Sequence, residues 1–364
     1  YKMLKKISKK IYTNIITFFF KFIYGTVKYQ PKTKYNDQLK KKKIIIKNKN
    51  NYLYEIWSGR LFTDTIQNTA YIQGNKIVNE VSLQLINRKN SKAKNNIVVT
   101  RGVNRFLKKI NGNVLSLLTG GGGNNNYFHW LFDVLPRIKI LENAKKINEV
   151  DYFLVPNLEE KFQFETLKEL NLNTYNLLSS KEYRHIKSNK IFATDHPWHK
   201  NDDLKRNHEN IPNWIIFWLR NKFLKKKNIK KRIKFYIDRS DSKSNVKLFR
   251  TIENEKEVQF FLKKNGFKII KLAQLRFSDQ VKLFNNAKII VSNHGAGLSN
   301  IIFCNKKTKI IEFRTPRTFK TFENLGKKIN LNYKTIICNP KNNILGNQFG
   351  TIDVPIDKLK KLLK

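Results

Sequence analysis

The chain is poor in cysteine and in negative charge. Only Cys304 and Cys338 occur, with no C-x-x-C pair, so neither a disulfide framework nor a zinc knuckle can be built, and a reducing compartment fits. No D-x-D triplet is present, so a divalent cation held by an acidic motif is not indicated: the chain is expected to use no metal and no cofactor. The P-loop signature G-x-x-x-x-G-K-[ST] is missing. The dinucleotide fingerprint G-x-G-x-x-G fails because Asn300 stands where its third glycine belongs. Long hydrophobic runs are also lacking. The best one, Ile11 to Tyr24, is broken by Lys21 and falls short of the ~20 apolar residues a spanning helix needs. Tyr24-Gly25-Thr26 is a poor cleavage site, which counts against a signal peptide. This segment reads two ways: a basic helix lying on an anionic membrane face, or an ordinary N-terminal helix docked on its own domain.

Against 27 acidic residues stand 73 Lys and Arg, a net charge of +46, which invites a nucleic-acid or anionic-membrane partner. Yet Lys, Asn and Ile are in excess throughout the chain, as a coding bias toward A and T would produce. No RNP-like aromatic pattern, zinc-finger spacing or basic heptad accompanies the charge. A basic nucleic-acid-binding protein without catalysis therefore stays as the alternative reading, not the first.

What is present is ample for folding. Hydrophobic content of 40%, with 12% aromatic, argues against general disorder, and 364 residues exceed what single cores usually reach. The pattern divides into a basic N-terminal segment (1–25), a lysine-rich linker (26–50) with an edge strand at Ile44 to Ile46, a first domain (51–227) and a second (228–364). The basic run from Lys225 to Arg232 reads as the hinge. In the first domain Val98-Val99 and Val114 to Leu118 read as short strands. Gly120 to Gly123 forms a flexible run, and Phe128, Leu131, Phe132, Leu135 and Ile138 recur at helical steps, with Pro136 kinking that helix. Strands at Tyr152 to Val155 and Ile191 to Ala193 follow, with helices around Phe164 to Leu170 and Trp214 to Phe223. In the second domain strands at Ile233, Phe267, Ile289, Ile310 and Thr335 alternate with helices. Asn254 and Glu257 have capping-box spacing, Gly266 reads as a C-terminal stop and Ser278 as a cap. Alternation of this kind means parallel βα units whose ligands bind beyond the carboxyl ends of the strands.

Three clusters can carry chemistry. The first is Ser292-Asn293-His294-Gly295-Ala296-Gly297, where an apolar strand opens into glycines and a helix start. Backbone N–H groups at such a place suit phosphate oxygens, and Glu312, at the end of the next strand, would face ribose or base hydroxyls. A tight turn with a structural histidine is the plainer reading. The second is Asp238-Arg239-Ser240. The planar fork of Arg239 can clamp a diphosphate and Ser240 can donate to it, although an ion pair of Arg239 with Asp238 or Asp241 is the commoner fate. The third is His129 with Asp133, spaced i, i+4 on one helix face, a pair suited to removing a hydroxyl proton or simply to bridging a helix surface.

Taken together, N-Y-F-H-W-L-F-D-V-L-P-R (Asn126 to Arg137), Y-I-D-R-S (Tyr236 to Ser240), S-N-H-G-A-G-L-S-N (Ser292 to Asn300) and I-I-E-F (Ile310 to Phe313) resemble glycosyltransferase family 61, in the same order from about Asn96 to Asp357. Bacterial members of that family are usually called capsular polysaccharide biosynthesis proteins. The resemblance implies an α/β fold of GT-B type: two Rossmann-like domains facing across a cleft, with a parallel sheet in the C-terminal domain. It implies inverting transfer from a nucleotide-sugar donor, a UDP-sugar by analogy, to a hydroxyl of a glycan or lipid-linked glycan. By position Arg239, Ser240, His294, Gly295, Ala296, Gly297, Leu298 and Glu312 would hold the donor, and Asn126, His129 and Asp133 would face the acceptor. Asp133 is the favoured base and His129 the second choice. Eukaryotic members carry a secretory anchor and cysteine pairs that this sequence lacks, so the expected place is the cytoplasm, with peripheral contact at the inner membrane face.

Overall fold

The computed structural model describes all residues except 1, 64–67, 87–88, 92, 119–124, 173, 200–202, 225–231, 242–249 and 342–349. The glycine run Gly120 to Gly123 lies outside the described residues, as does all of the basic hinge except Arg232. The chain forms two compact units, residues 1–160 with 171–202, and residues 161–170 with 203–364.

In the first unit, eleven strands among the described residues make a mixed sheet. Its parallel part has the spatial order Leu177–Ser179, Tyr152–Val155, Lys108–Ser116, His185–Thr194, which in chain order is 3-2-1-4. That order is one half of a doubly wound fold, and its switch point falls between Lys108–Ser116 and His185–Thr194. Antiparallel strands extend it, beginning with Lys49–Trp57 and Arg60–Phe62 against His185–Thr194. The stretch expected to be a linker supplies a full strand, Leu39–Ile46, paired along its length with Lys49–Trp57. Its burial pattern explains why: Leu39, Ile44 and Ile46 are buried while the lysines between them are exposed. Val98-Val99 is helical rather than extended. Asn96 caps Ile97–Thr100 by accepting from the Val98 N–H, and that cap outweighs the β preference of the two valines.

The N-terminal helix, Lys2–Tyr24, ends at Gly25, whose φ of 74° suits the left-handed stop that glycine supplies. Its last turns dock on the first unit. Phe20 is 7% exposed and meets Phe106 edge-on, and the Tyr24 hydroxyl accepts from the Leu107 N–H at 2.9 Å. No helix among the described residues is long and apolar enough to cross a membrane.

The second unit holds a five-stranded parallel sheet in the order Lys268–Lys271, Ile233–Asp238, Ala287–Asn293, Lys309–Arg314, Asn332–Ile337. In chain order this is 2-1-3-4-5, with the switch point between Ile233–Asp238 and Ala287–Asn293. Ile290, Val291, Ile310 and Ile311 are fully buried, as strands covered on both faces must be. Two helices expected in the first domain belong here, Lys161–Glu169 and Asn213–Phe223, and Leu204–Glu209, which was not expected, joins them. Arg220 donates to the carbonyls of Ile302 and Cys304, and Phe223 packs edge-on against Phe277. The boundary therefore lies near residue 202 instead of 227.

Of two expected caps, Asn254 does stand at the N-cap of Glu255–Lys264 and donates to Glu257 Oε2 at 3.2 Å, but it makes no side-chain bond to the helix backbone. Its side chain instead exchanges hydrogen bonds with Val354, donating to the carbonyl and accepting from the N–H. Ser278 lies inside the first turn of Phe277–Asn285, which Arg276 precedes without a side-chain cap.

Candidate active site

In the first unit the Asn126–Arg137 motif forms a helix that changes register. Tyr127–His129 is α-helical, Trp130–Val134 a π-turn, and Pro136–Asn143 resumes the α-helix. The π-turn closes with Leu135 N–H on the Trp130 carbonyl, 3.1 Å. It lets Pro136 stand at the first position of the following helix, where a missing N–H costs nothing. The kink expected at Pro136 is thus a π-turn, a feature often found at functional sites. Trp130, Leu131, Phe132, Val134 and Leu135 are all buried, so the segment is apolar on every side and sits inside its unit.

Asp133 lies in that apolar setting, 2% exposed, and its charge is met from two sides. His129 Nδ1 is 2.7 Å from Oδ2, and the Trp198 indole N–H donates to Oδ1 at 2.7 Å. His196 Nε2 stands 3.5 Å from Oδ2. Burial alone would raise the Asp133 pKa, but the charges and hydrogen bonds of His129 and His196 overcome it and hold the carboxyl well below its usual value. Burial likewise works against a charged His129, yet the Asp133 charge and hydrogen bond prevail and raise the imidazole above its usual value. With Nδ1–H given to Asp133, the neutral ring of His129 carries its basic lone pair on Nε2, and a quarter of the side chain (26%) reaches solvent. Arg137 fixes the helix to the neighbouring strand by donating to the carbonyl and hydroxyl of Thr194 at 2.9 and 3.0 Å. Asn126 is the helix cap, accepting from the Phe128 N–H at 2.9 Å.

His196 and Trp198 had no role in the sequence reading. The signal was Asp195-His196-Pro197-Trp198-His199 directly after a strand, on the far side of the switch point from the Asn126 motif.

In the second unit the chemistry also gathers at the switch point. A small open pocket of about 70 Å³ is lined by Tyr236, Arg239, Ser240, Arg250, Glu255 and Asn293, among others. Asp238 accepts from the Ser240 N–H and Asp241 from the Ala273 N–H, so both carboxylates shape the turn. Arg239 donates to the His294 carbonyl and lies across Gly295. A Cβ at Gly295 would come within 2.8 Å of the Arg239 Cζ. The glycine is needed there because the guanidinium occupies the space, while its φ of 170° is extended backbone open to any residue. A guanidinium, not bare backbone, therefore covers Gly295, which differs from the phosphate-on-glycine picture.

Arg250 is the residue the sequence did not single out. It has no motif around it, and it joins Arg239 only through the fold. Burial, together with the charge of Arg239, depresses its pKa, and Glu312 opposes the shift. Asn293 ties it in by donating to its carbonyl at 2.7 Å.

Glu312 does not face an open site. It is 1% exposed, and its Oε1 meets His294 Nδ1 at 2.6 Å, so it acts through His294. Burial lowers the His294 pKa, the bond and charge of Glu312 work against this, and the charges of Arg250 and Arg239 leave the net shift downward. His294 is thus a neutral, fixed ring. Ala296–Phe303 is a 3₁₀ helix. Leu298 is fully buried core, not a contact for substrate, whereas Ala296 and Gly297 remain half-buried.

Each α/β unit carries a polar cluster at its topological switch point, the place where open sheets of this kind bind ligands. The sequence profile described as Glycosyltransferase 61 matches residues 127–311, which spans both clusters, and the chain belongs to that family. It is a glycosyltransferase. The match lends nothing to the nucleic-acid alternative. No curated protein matches the chain at a significant level.

Proposed function

We propose that the chain transfers a sugar with inversion from a nucleotide-sugar donor, a UDP-sugar, to a hydroxyl of a glycan or lipid-linked glycan in surface polysaccharide synthesis. The GT-B arrangement is part of this reading. The observation that carries it is the pairing of Arg239 and Arg250 on one cavity. Burial lowers the pKa of both guanidiniums, and the charge of Arg239 adds to the fall at Arg250; a ligand with two negative charges relieves both, and a diphosphate is such a ligand. Ser240 adds a donor at the rim. The His294 carbonyl holds Arg239 and Gly295 leaves it room, Ala296 and Gly297 complete that side for the donor, and Glu312 serves by orienting His294.

Inverting transfer is a single displacement that needs a base for the acceptor hydroxyl and charge stabilisation for the departing diphosphate. The arginines supply the second. For the first, His129 is the better base. The Asp133 carboxylate is too acidic and too engaged to take a proton, whereas His129 offers Nε2 and has Asp133 behind it to stabilise the imidazolium. This inverts the order preferred from sequence. Asp133 becomes the positioning residue.

The test is a thermal-shift panel of UDP, GDP, CMP and dTDP sugars. A ligand at a hundredfold excess over its Kd should stabilise the fold by about 2.7 kcal/mol, and Arg239→Gln with Arg250→Gln should abolish the shift. A panel that shifts nothing, or a shift that survives both substitutions, would overturn the donor assignment.

A further inference from the structure

We infer that the N-terminal helix is a docking surface for an anionic lipid bilayer. The helix offers opposite faces to different surroundings. Phe20 and Tyr24 point it onto the first unit through Phe106, His185 and the Leu107 N–H. On the other side Ile11, Ile15, Phe18 and Phe22 follow one another at three- and four-residue steps. They are 55%, 63%, 77% and 85% exposed, and Phe19, 47% exposed, borders them. A helix that is already packed by one face has no packing need for a second apolar stripe, so this one is left for something outside the unit.

Charge decides what that is. The helix carries Lys2, Lys5, Lys6, Lys9, Lys10 and Lys21 and not one acidic residue. An exposed apolar stripe on a helix that is rich in lysine and free of acid is the composition of a helix lying in the plane of a headgroup layer. A second copy of this chain is the poorer occupant, since two bodies of net charge +46 repel each other. Anionic lipid instead gains about 1 kcal/mol per lysine near the surface, about a fivefold change in binding for each. Nothing here depends on the transfer chemistry: sugar transfer could stand while this fails, and the reverse.

The experiment is sedimentation of the full chain with vesicles of phosphatidylcholine alone or with one third phosphatidylglycerol. Binding is expected to the mixed vesicles only. Phe18→Ser with Phe22→Ser should weaken it at least tenfold without lowering the melting temperature, because both rings are solvent-exposed. Replacing Lys5, Lys6, Lys9 and Lys10 with Gln should weaken it by about several hundredfold, at fivefold for each. Absence of vesicle binding, or binding indifferent to both sets, would overturn the inference. So would a dimer in light scattering, or a complex with DNA, that the serine substitutions dissolve while vesicles remain unbound.

Discussion

Trp198 gives its indole N–H to Oδ1 of Asp133 at 2.7 Å, and this bond occupies one oxygen of a carboxylate buried in an apolar helix. Trp198→Phe keeps the shape and removes the donor. A hydrogen bond to a buried charge is worth about 1.5–3 kcal/mol, and that loss is expected in denaturant unfolding at neutral pH. The pH dependence has a definite sign. The Asp133 pKa is depressed in the folded state, so its contribution is present above the unfolded value and is lost as the pH falls through the folded one. The difference between the native chain and the variant should therefore narrow in acid. A gap that stays constant to low pH would mean that Trp198 contributes packing alone.

If His129 is the base, its raised pKa should appear in the rate. Activity is expected to rise with pH along a limb whose midpoint lies above the ordinary histidine value, because the neutral ring is the active form. Asp133→Asn removes the charge that raises this pKa, so the midpoint should move to lower pH while kcat falls by roughly 10²–10⁴, the span of general-base catalysis. A pH–rate profile of kcat/KM for both forms checks this. A limb that does not move with Asp133→Asn would assign it to another group.

Much of this arrangement was legible in the sequence. Strand-to-loop transitions at Asp238, Asn293 and Glu312 follow from apolar runs that stop abruptly, and the resulting parallel order brings Arg239 beside Gly295. The i, i+4 spacing of His129 and Asp133 gave their contact. The roles were harder to read. Whether Glu312 meets solvent or His294 depends on the packing of Phe322 and the neighbouring strands, and whether Asp133 is a base depends on His196 and Trp198, which arrive from 63 and 65 positions downstream. Arg250 left no trace because a single arginine in an irregular segment looks like any other in so basic a chain. Domain assignment failed at residues 203–227 for a similar reason: an apolar helix does not announce which core it covers.

Gly295 and Arg239 can be tested as a pair. Gly295→Ala places a methyl where the guanidinium lies, so the side chain must move and donor binding should weaken about tenfold, as a displaced charged contact of about 1.4 kcal/mol would give. The backbone itself is unstrained, and in an Arg239→Ala background the same substitution should cost nothing further. Donor titration of the four forms gives the coupling directly. Additive effects would show that Gly295 serves the backbone and not the arginine.

His185 makes the fold acid-sensitive away from either cluster. It is 1% exposed, its Nδ1–H donates to the Arg105 carbonyl at 2.9 Å, and the ring of Tyr24 packs edge-on against it. Burial lowers its pKa to about 4, the bond to Arg105 opposes this, and the nearby charge of Arg60 adds to the fall. In the unfolded chain the ring protonates near 6.5. Between these values the unfolded state binds the extra proton, so stability falls as the pH drops, by about 3 kcal/mol across the interval. His185→Gln can keep the donor to Arg105 without the titration. It should cost some stability at pH 8 through imperfect packing, yet lose less than the native chain on going to pH 4.5. Urea unfolding at both values measures this, and an equal loss in the two proteins would show that the acid sensitivity arises elsewhere.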